Sequence, residues 1–273
     1  MKLFMSGLRK LVRRQATWLT FGLLAGLLVL IVVAVGATSD RPGASAAERA
    51  AALSLVTFPG AYDQILSFIL GLGGLFAVIF GAAIAGSEWT WGTLKNAVAR
   101  GQSRSYYTLV SFASIAFAIA IGLVLTFAIG VIAALVGANL AGTSTAGLTD
   151  SATLGRLPEQ FARGGLAIIM AGAIGFTVAT LARSQLAGIG AGIGLYFAST
   201  FATVFLPDIV KYLPFSVATA SVATGTASGA RFGGGGFQVA ALDANAALVL
   251  VVVWLIGALA VAALFTERAE ISG

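Results

Sequence analysis

Six stretches of this 273-residue chain contain no Asp, Glu, Lys or Arg: Thr17–Ala37, Gln64–Gly86, Tyr107–Val136, Gly164–Ala182, Gln185–Leu206 and Ala244–Thr266. A helix rising about 1.5 Å per residue needs about 20 residues to cross a hydrocarbon core about 30 Å thick. Lipid offers no partner to backbone N–H and C=O groups, so such runs must satisfy their own polar groups as helices. The predicted fold class is an all-α polytopic membrane protein. It has six transmembrane helices, an N-terminal interfacial amphipathic helix and a re-entrant or extracellular helical region before the last span. Residues 1–273 read as one transmembrane domain, with no loop long enough for a sizeable soluble one.

Charge supplies the expected orientation. Only 10% of residues are charged, against about 25% in globular domains. With the N-terminus inside, the inner regions hold ten bases (Lys2, Arg9, Lys10, Arg13, Arg14, Lys95, Arg100, Arg104, Arg183, Arg268) and three acids (Glu88, Glu267, Glu270). The outer loops hold six bases and seven acids. The positive-inside rule therefore predicts N-in and C-in, and the net charge of +6 belongs to topology, with no nucleic-acid partner implied.

The first sixteen residues form a separate unit. On a helical wheel Phe4, Leu8, Leu11 and Val12 share one face, while Arg9, Lys10, Arg13 and Arg14 share the other. That pattern predicts an interfacial helix over residues 1–16 with its basic side on anionic headgroups. The apolar run that follows is longer than a signal-peptide core, so the helix is expected to be an uncleaved lead-in. A short helix is expected around Ala44–Val56, and Gly137–Arg163 reads as a polar outer stretch. The 207–243 region begins apolar but is broken by Pro207 and Pro214, which suits a re-entrant or surface-lying helix pair.

The residue inventory excludes several chemistries. Histidine and cysteine are absent, which removes disulfides, thiolate and zinc-protease metal sites, haem b ligation and histidine relays. No metal site and no catalytic residue is expected. There is no G-x-x-x-x-G-K-[ST] phosphate loop and no G-x-S-x-G elbow, and Arg231–Gly236 reads as a flexible loop. Proton-coupled carriers keep ionisable groups at membrane depth, and the six runs have none. That absence favours mechanical work delivered from outside the bilayer over a secondary carrier or channel.

Two sets of span residues admit two readings each. Gly22 and Gly26, and Gly188, Gly190, Gly192 and Gly194, form G-x-x-x-G pairs that let helices approach closely, either within one chain or at a dimer interface. Phe176, Tyr196, Phe197, Phe201 and Phe205 would suit a pathway for an amphiphilic substrate, or would simply face lipid or the core.

The segment Gly86–Arg104 is the polar interruption between spans two and three. Ser87 is placed to cap a short helix with Glu88 in its first turn. Trp89 and Trp91 suit the headgroup layer, Gly92 permits a sharp turn, and Thr93–Arg100 can form two helical turns exposing Lys95 and Arg100. Positive-inside topology needs only bases, so the acid, the paired tryptophans and Gly92-Thr93 together point to a docking element.

These residues resemble the permease subunits of ATP-binding-cassette transporters of the type-2, exporter-like class. There the pattern is Glu, Gly-Thr, a short helix, then a small residue and Arg before span three. Here it stands as Glu88, Gly92-Thr93, Leu94–Arg100 and Ser103-Arg104, and Trp89-Thr90-Trp91-Gly92-Thr93 is similar to small six-span permeases for drug and peptide-antibiotic efflux. Gly101 stands where members often have Pro, and Ser111 lies where they often have Lys nearby. The resemblance implies that residues 87–106 are a cytoplasmic coupling region, with Glu88, Trp89, Trp91, Gly92, Thr93, Lys95, Arg100 and Arg104 meeting a separate ATPase. Glu88 would meet the ATPase's polar or basic groups, Arg100 and Arg104 its acids or lipid phosphate, and the N-terminal helix would brace the segment. It further implies two ATPase subunits carrying ATP and Mg, no cofactor in this chain, a second permease copy or paralogue, membrane lipid around it, and a place in the bacterial inner membrane. The competing expectation from another class is a structural subunit that recruits a cytoplasmic partner.

Overall fold

The computed structural model describes residues 2–39, 45–222 and 242–269, which are helical almost throughout, without strands. The helices are α1 (Lys2–Arg13), α2 (Gln15–Thr38), α3 (Ala46–Leu53), α4 (Gly60–Thr90), α5 (Thr93–Ala99), α6 (Arg104–Leu140), α7 (Ser151–Ala182), α8 (Gln185–Phe205), α9 (Pro207–Val210), α10 (Pro214–Ala220) and α11 (Ala244–Arg268), with a 3₁₀ turn at Ala146–Thr149. Five of them, α2, α4, α6, α7 and α11, are long and apolar enough to cross a membrane. The Arg231–Gly236 loop reading lies outside the described residues.

α4 is the centre of the bundle, packed against α7 and α8 on one side and α6 and α2 on the other. Its contact with α7 leaves no room for side chains at the seam: a Cβ at Gly81 would strike the Gly172 carbonyl oxygen, and one at Gly175 the Val78 carbonyl oxygen. Small residues at such crossings let backbones touch, which is how helices associate when lipid is as apolar as their side chains. Ile65, Leu66, Ile69, Val78 and Phe80 of α4 are buried beside Ile115 of α6 and Met170 of α7. α2 and α11 lie at the periphery and turn most of their apolar residues outward.

Several helices outrun the expected spans. α4 was expected to stop at Gly86 but continues to Thr90, because Ser87, Glu88 and Trp89 find partners on neighbouring elements. Ser87 therefore does not cap a new helix; its Oγ donates to the Ile84 carbonyl at 2.8 Å within the last turns of α4. α7 begins at Ser151, so much of the expected polar stretch before Gly164 is helix. The Asp150 carboxylate starts it by accepting from the Thr153 N–H at 2.9 Å, an N-cap. Phe161 then packs on Phe127 of α6 with ring centroids 4.5 Å apart. The Thr153 hydroxyl, which also donates to this carboxylate at 2.6 Å, and the Thr153 N–H together hold the Asp150 carboxyl below the usual carboxylate range. Ser45 and Glu48 form a reciprocal capping box on α3, inside the expected Ala44–Val56 region. α9 and α10 are the broken pair that Pro207 and Pro214 predict, with Val210 and Val217 buried.

The glycine pairs divide. Gly188 and Gly192 are buried, against Ala179 of α7 and Val78 of α4, whereas a Cβ at Gly190, Gly194, Gly22 or Gly26 would meet open space. The glycines that make the tightest internal seam, Gly81, Gly172 and Gly175, are not in any of the pairs singled out from sequence.

Candidate functional site

Gly92 makes the site possible. It adopts φ +62°, the left-handed conformation that glycine reaches without steric cost. The chain therefore reverses between α4 and α5 within Trp91 and Gly92. α5 lies across the bundle end with Leu94 buried, and Ser103 caps α6 by accepting from the Tyr106 N–H at 3.3 Å. Lys95, Asn96, Ala99 and Arg100 form the exposed side of this connection.

Glu88 points the other way. It is 7% exposed. Its Oε1 accepts from Lys10 Nζ of α1 at 2.9 Å, and its Oε2 accepts from the Tyr107 hydroxyl of α6. Lys10 Nζ also donates to that hydroxyl at 3.4 Å, and the Thr93 hydroxyl donates to the Glu88 carbonyl at 3.1 Å. A carboxylate removed from water must be paired and hydrogen-bonded to persist, and these donors from α1 and α6 meet that need. Both Glu88 carboxylate oxygens are thus engaged within the chain. Beside it Lys10, Glu88, Tyr107, Ser111 and Ser114 line a cavity of about 40 Å³ between α1, α4 and α6, room for one or a few waters.

Arg14 completes the contact with α1. Its guanidinium donates to Ser87 Oγ at 2.7 Å and lies 4.9 Å from the Trp91 ring centroid. Burial lowers its pKa from the ordinary arginine value, while the neighbouring Glu88 carboxylate pulls it back up. An arginine starts so high that it stays charged. The basic side of α1 is consequently divided. Lys10 and Arg14 face the bundle, whereas Arg9 and Arg13 are exposed.

The same segment meets the C-terminal ends of α7 and α11. Arg183, in the turn between α7 and α8, lies 5.3 Å from the Trp89 ring and 5.2 Å from the Phe265 ring, and those two rings are 6.3 Å apart. Arg183 holds φ 51°, an uncommon conformation for a residue with a Cβ. Arg104 donates to the carbonyls of Ala269 at 2.6 Å and Glu267 at 3.2 Å, at the C-terminal end of α11. Arg104 is therefore spent on the chain itself, not held out for a partner.

The proposed pathway aromatics are dispersed, apart from Tyr196 and Phe197, whose rings meet edge-on with centroids 5.6 Å apart. Phe176 is buried against Phe112. Tyr196 donates to the Gly71 carbonyl at 2.5 Å and packs on Phe215. Phe201 and Phe205 are 67% and 78% exposed, and Phe197 turns outward with them. Phe176 belongs to α7, and on α8 the outward Phe197, Phe201 and Phe205 diverge from Tyr196, which turns toward α10.

Sequence reasoning passed over Tyr107 and Arg183. Tyr107 was taken as the first residue of a lipid span, and Arg183 counted only as one inside charge. A tyrosine at a span boundary and a lone arginine between two apolar runs were the available signals.

Among the described residues no group of acids or other ligands could hold a metal ion. Helices of this length and apolarity, gathered by one polar cluster at a bundle end, define a multi-pass helical membrane protein. The chain belongs to the family described as "protein of unknown function (DUF2705)", whose family model matches residues 47–262. The matched region contains the whole α4–α6 connection but neither α1, which supplies Lys10, nor Arg14 at the α1–α2 break. No curated protein matches the chain.

Proposed function

We infer that this chain is the membrane-spanning permease subunit of an ATP-binding-cassette transporter, exporting an amphiphilic or apolar substrate with work supplied by a separate cytoplasmic ATPase. One observation carries the reading: the α4–α6 connection is bonded to α1, to the α7–α8 turn and to the end of α11 at once. A push on the exposed Lys95 and Arg100 side of α5 is thereby delivered to most of the bundle, which is what an externally powered permease needs. That side is basic, so an acidic groove on the ATPase is its complement.

A six-span arrangement, N-in and C-in in a bacterial inner membrane, belongs to the same reading. The ends of α7 and α11 meet at Arg183, which supports a crossing to the far side and back between them. α8, with 21 uncharged residues, is about 31 Å long, enough for the outward crossing. Glu88 and Arg104 act in this scheme as positioning residues that fix α5.

The test is coexpression of the full chain with a Walker-motif ATPase encoded beside its gene. Co-purification, with ATP hydrolysis that rises only when both are present in lipid, is the expected result. Substrate movement by the purified chain alone under an ion gradient would overturn it.

A further inference from the structure

The bonds of Lys10 and Arg14 to α4 occupy only one side of α1 and its end. The helix contains no acid, and Arg9 and Arg13 are exposed, with no hydrogen-bond or ion-pair partner among the described residues. They are one helical turn apart, so their guanidinium groups emerge side by side. Next to them around the helix come Met5 and Val12, 48% and 59% exposed. The α1 surface therefore has three sectors: one against Glu88, one apolar and open, one doubly cationic and open.

The position of these sectors is fixed. Arg14 is extended (φ −84°, ψ 128°), so α1 and α2 are separate helices. The Trp18 indole N–H donates across the break to the Val12 carbonyl at 2.8 Å. Phe4 meets Phe117 of α6 edge-on, ring centroids 5.9 Å apart, and Phe117 is itself outward-facing. α1 thus sits at the end of α2, where an apolar span gives way to polar surroundings, with Met5, Val12 and Phe117 on the outward side.

We propose that Arg9 and Arg13 form a binding site for the phosphate of an anionic phospholipid, whose acyl chains cover Met5, Val12 and Phe117. The charge sign selects an anion, the adjoining apolar sector selects one that carries hydrocarbon, and the location beside a span selects a lipid over an acidic protein. Guanidinium groups bind phosphate oxygens through paired N–H donors. Lys10 and Arg14 take no part, because the chain already uses them. This proposal is independent of the transport reading, since it concerns lipid alone.

The test uses the full chain in nanodiscs of mixed phosphatidylcholine and phosphatidylglycerol, extracted gently, with retained lipid identified by native mass spectrometry. Wild type is expected to retain phosphatidylglycerol preferentially. R9Q/R13Q should lose that preference by about fivefold per arginine, and R9K/R13K should keep most of it. R156Q, at an exposed arginine near the start of α7, should leave it unchanged. Raising salt on the wild type should reduce the preference without lowering the melting temperature, since exposed charges are screened. A wild type without preference, an R9Q/R13Q variant equal to wild type, or an R156Q variant with the same loss would each overturn the assignment. Preference insensitive to salt in the wild type would overturn it too, whether or not the variants fold.

Discussion

The inner and outer halves of the α4–α6 connection differ in how their charges are spent. Glu88 and Arg104 are bonded within the chain, to a lysine 78 residues away and to a carbonyl 165 residues away. Lys95 and Arg100, a few residues off, lie on the exposed side of α5. The contrast separates two jobs that residue type alone merges. Long-range partners make the inner half a joint that sets the position of α5. The outer half is an exposed basic surface that a partner outside the chain could reach. Mutations in the first should be read in stability, and mutations in the second in binding.

The largest effect is expected from the outer half. K95E/R100E should weaken capture of the proposed ATPase about a hundredfold, because like charges facing each other at an interface cost several kcal/mol. The melting temperature of the chain alone should stay within a few degrees. Titration of the ATPase onto lipid-embedded chain, paired with a thermal melt, reads both quantities. A fallen melting temperature with unaltered capture would reverse the roles of the two halves.

Glu88→Ala comes next. It removes the acceptor for Lys10 and Tyr107 and should destabilise the chain by about 1–3 kcal/mol, the range for losing a partner of a charged, largely buried hydrogen bond. α1 should loosen, so protease cleavage at Arg9 and Arg13 should quicken. K10M should do most of the same damage, and E88A/K10M should cost less than the sum of the two singles. Strict additivity would show that the 2.9 Å contact contributes little and that α1 is held by Phe4, Gly7 and Leu11 instead.

Much of this arrangement was legible in the sequence, and the parts that were not share a cause. The uncharged runs marked the long helices because burial in lipid imposes length and excludes charge. Gly92 and the paired prolines at 207 and 214 marked turns because their backbone limits are local. The amphipathic wheel gave α1 as a helix but not which base faced where. Lys10 and Arg14 turn inward only because Glu88 and Ser87 stand opposite them, a fact of tertiary packing. Glycines failed as guides for the same reason. Gly81 and Gly175 show no G-x-x-x-G signature, yet backbone meets backbone there, while Gly22 and Gly26 have the signature and no neighbour in the chain. The joint was readable as a set of residue types, and its partners were not, since they come from four separate parts of the chain.

Arg183 tests whether the joint extends to the α7–α8 turn. Arg183→Ala keeps a left-handed backbone on a residue with a Cβ and loses the contacts with Trp89 and Phe265, so it should cost about 1 kcal/mol. Arg183→Gly loses the same contacts but relieves the backbone, so the two changes should nearly cancel. Thermal melts that rank glycine above alanine, both near or below wild type, would fit this account. Alanine equal to glycine would show that the φ of 51° carries no cost.

The smallest effect should come from Trp91, which sits on the boundary between the two halves. It is 63% exposed, and the Arg14 guanidinium lies over its ring. An exposed cation–π contact contributes about 0.5–1 kcal/mol, so Trp91→Ala should lower stability by no more than that. Arg14 keeps its 2.7 Å bond to Ser87, which anchors it without the ring. Trp91→Phe retains a π face, though a weaker one than indole, and should fall between alanine and wild type. If Trp91→Ala instead leaves the melt untouched and lowers ATPase capture tenfold or more, Trp91 belongs with Lys95 and Arg100. The line between joint and docking surface would then run between Trp89 and Trp91, at the last turn of α4.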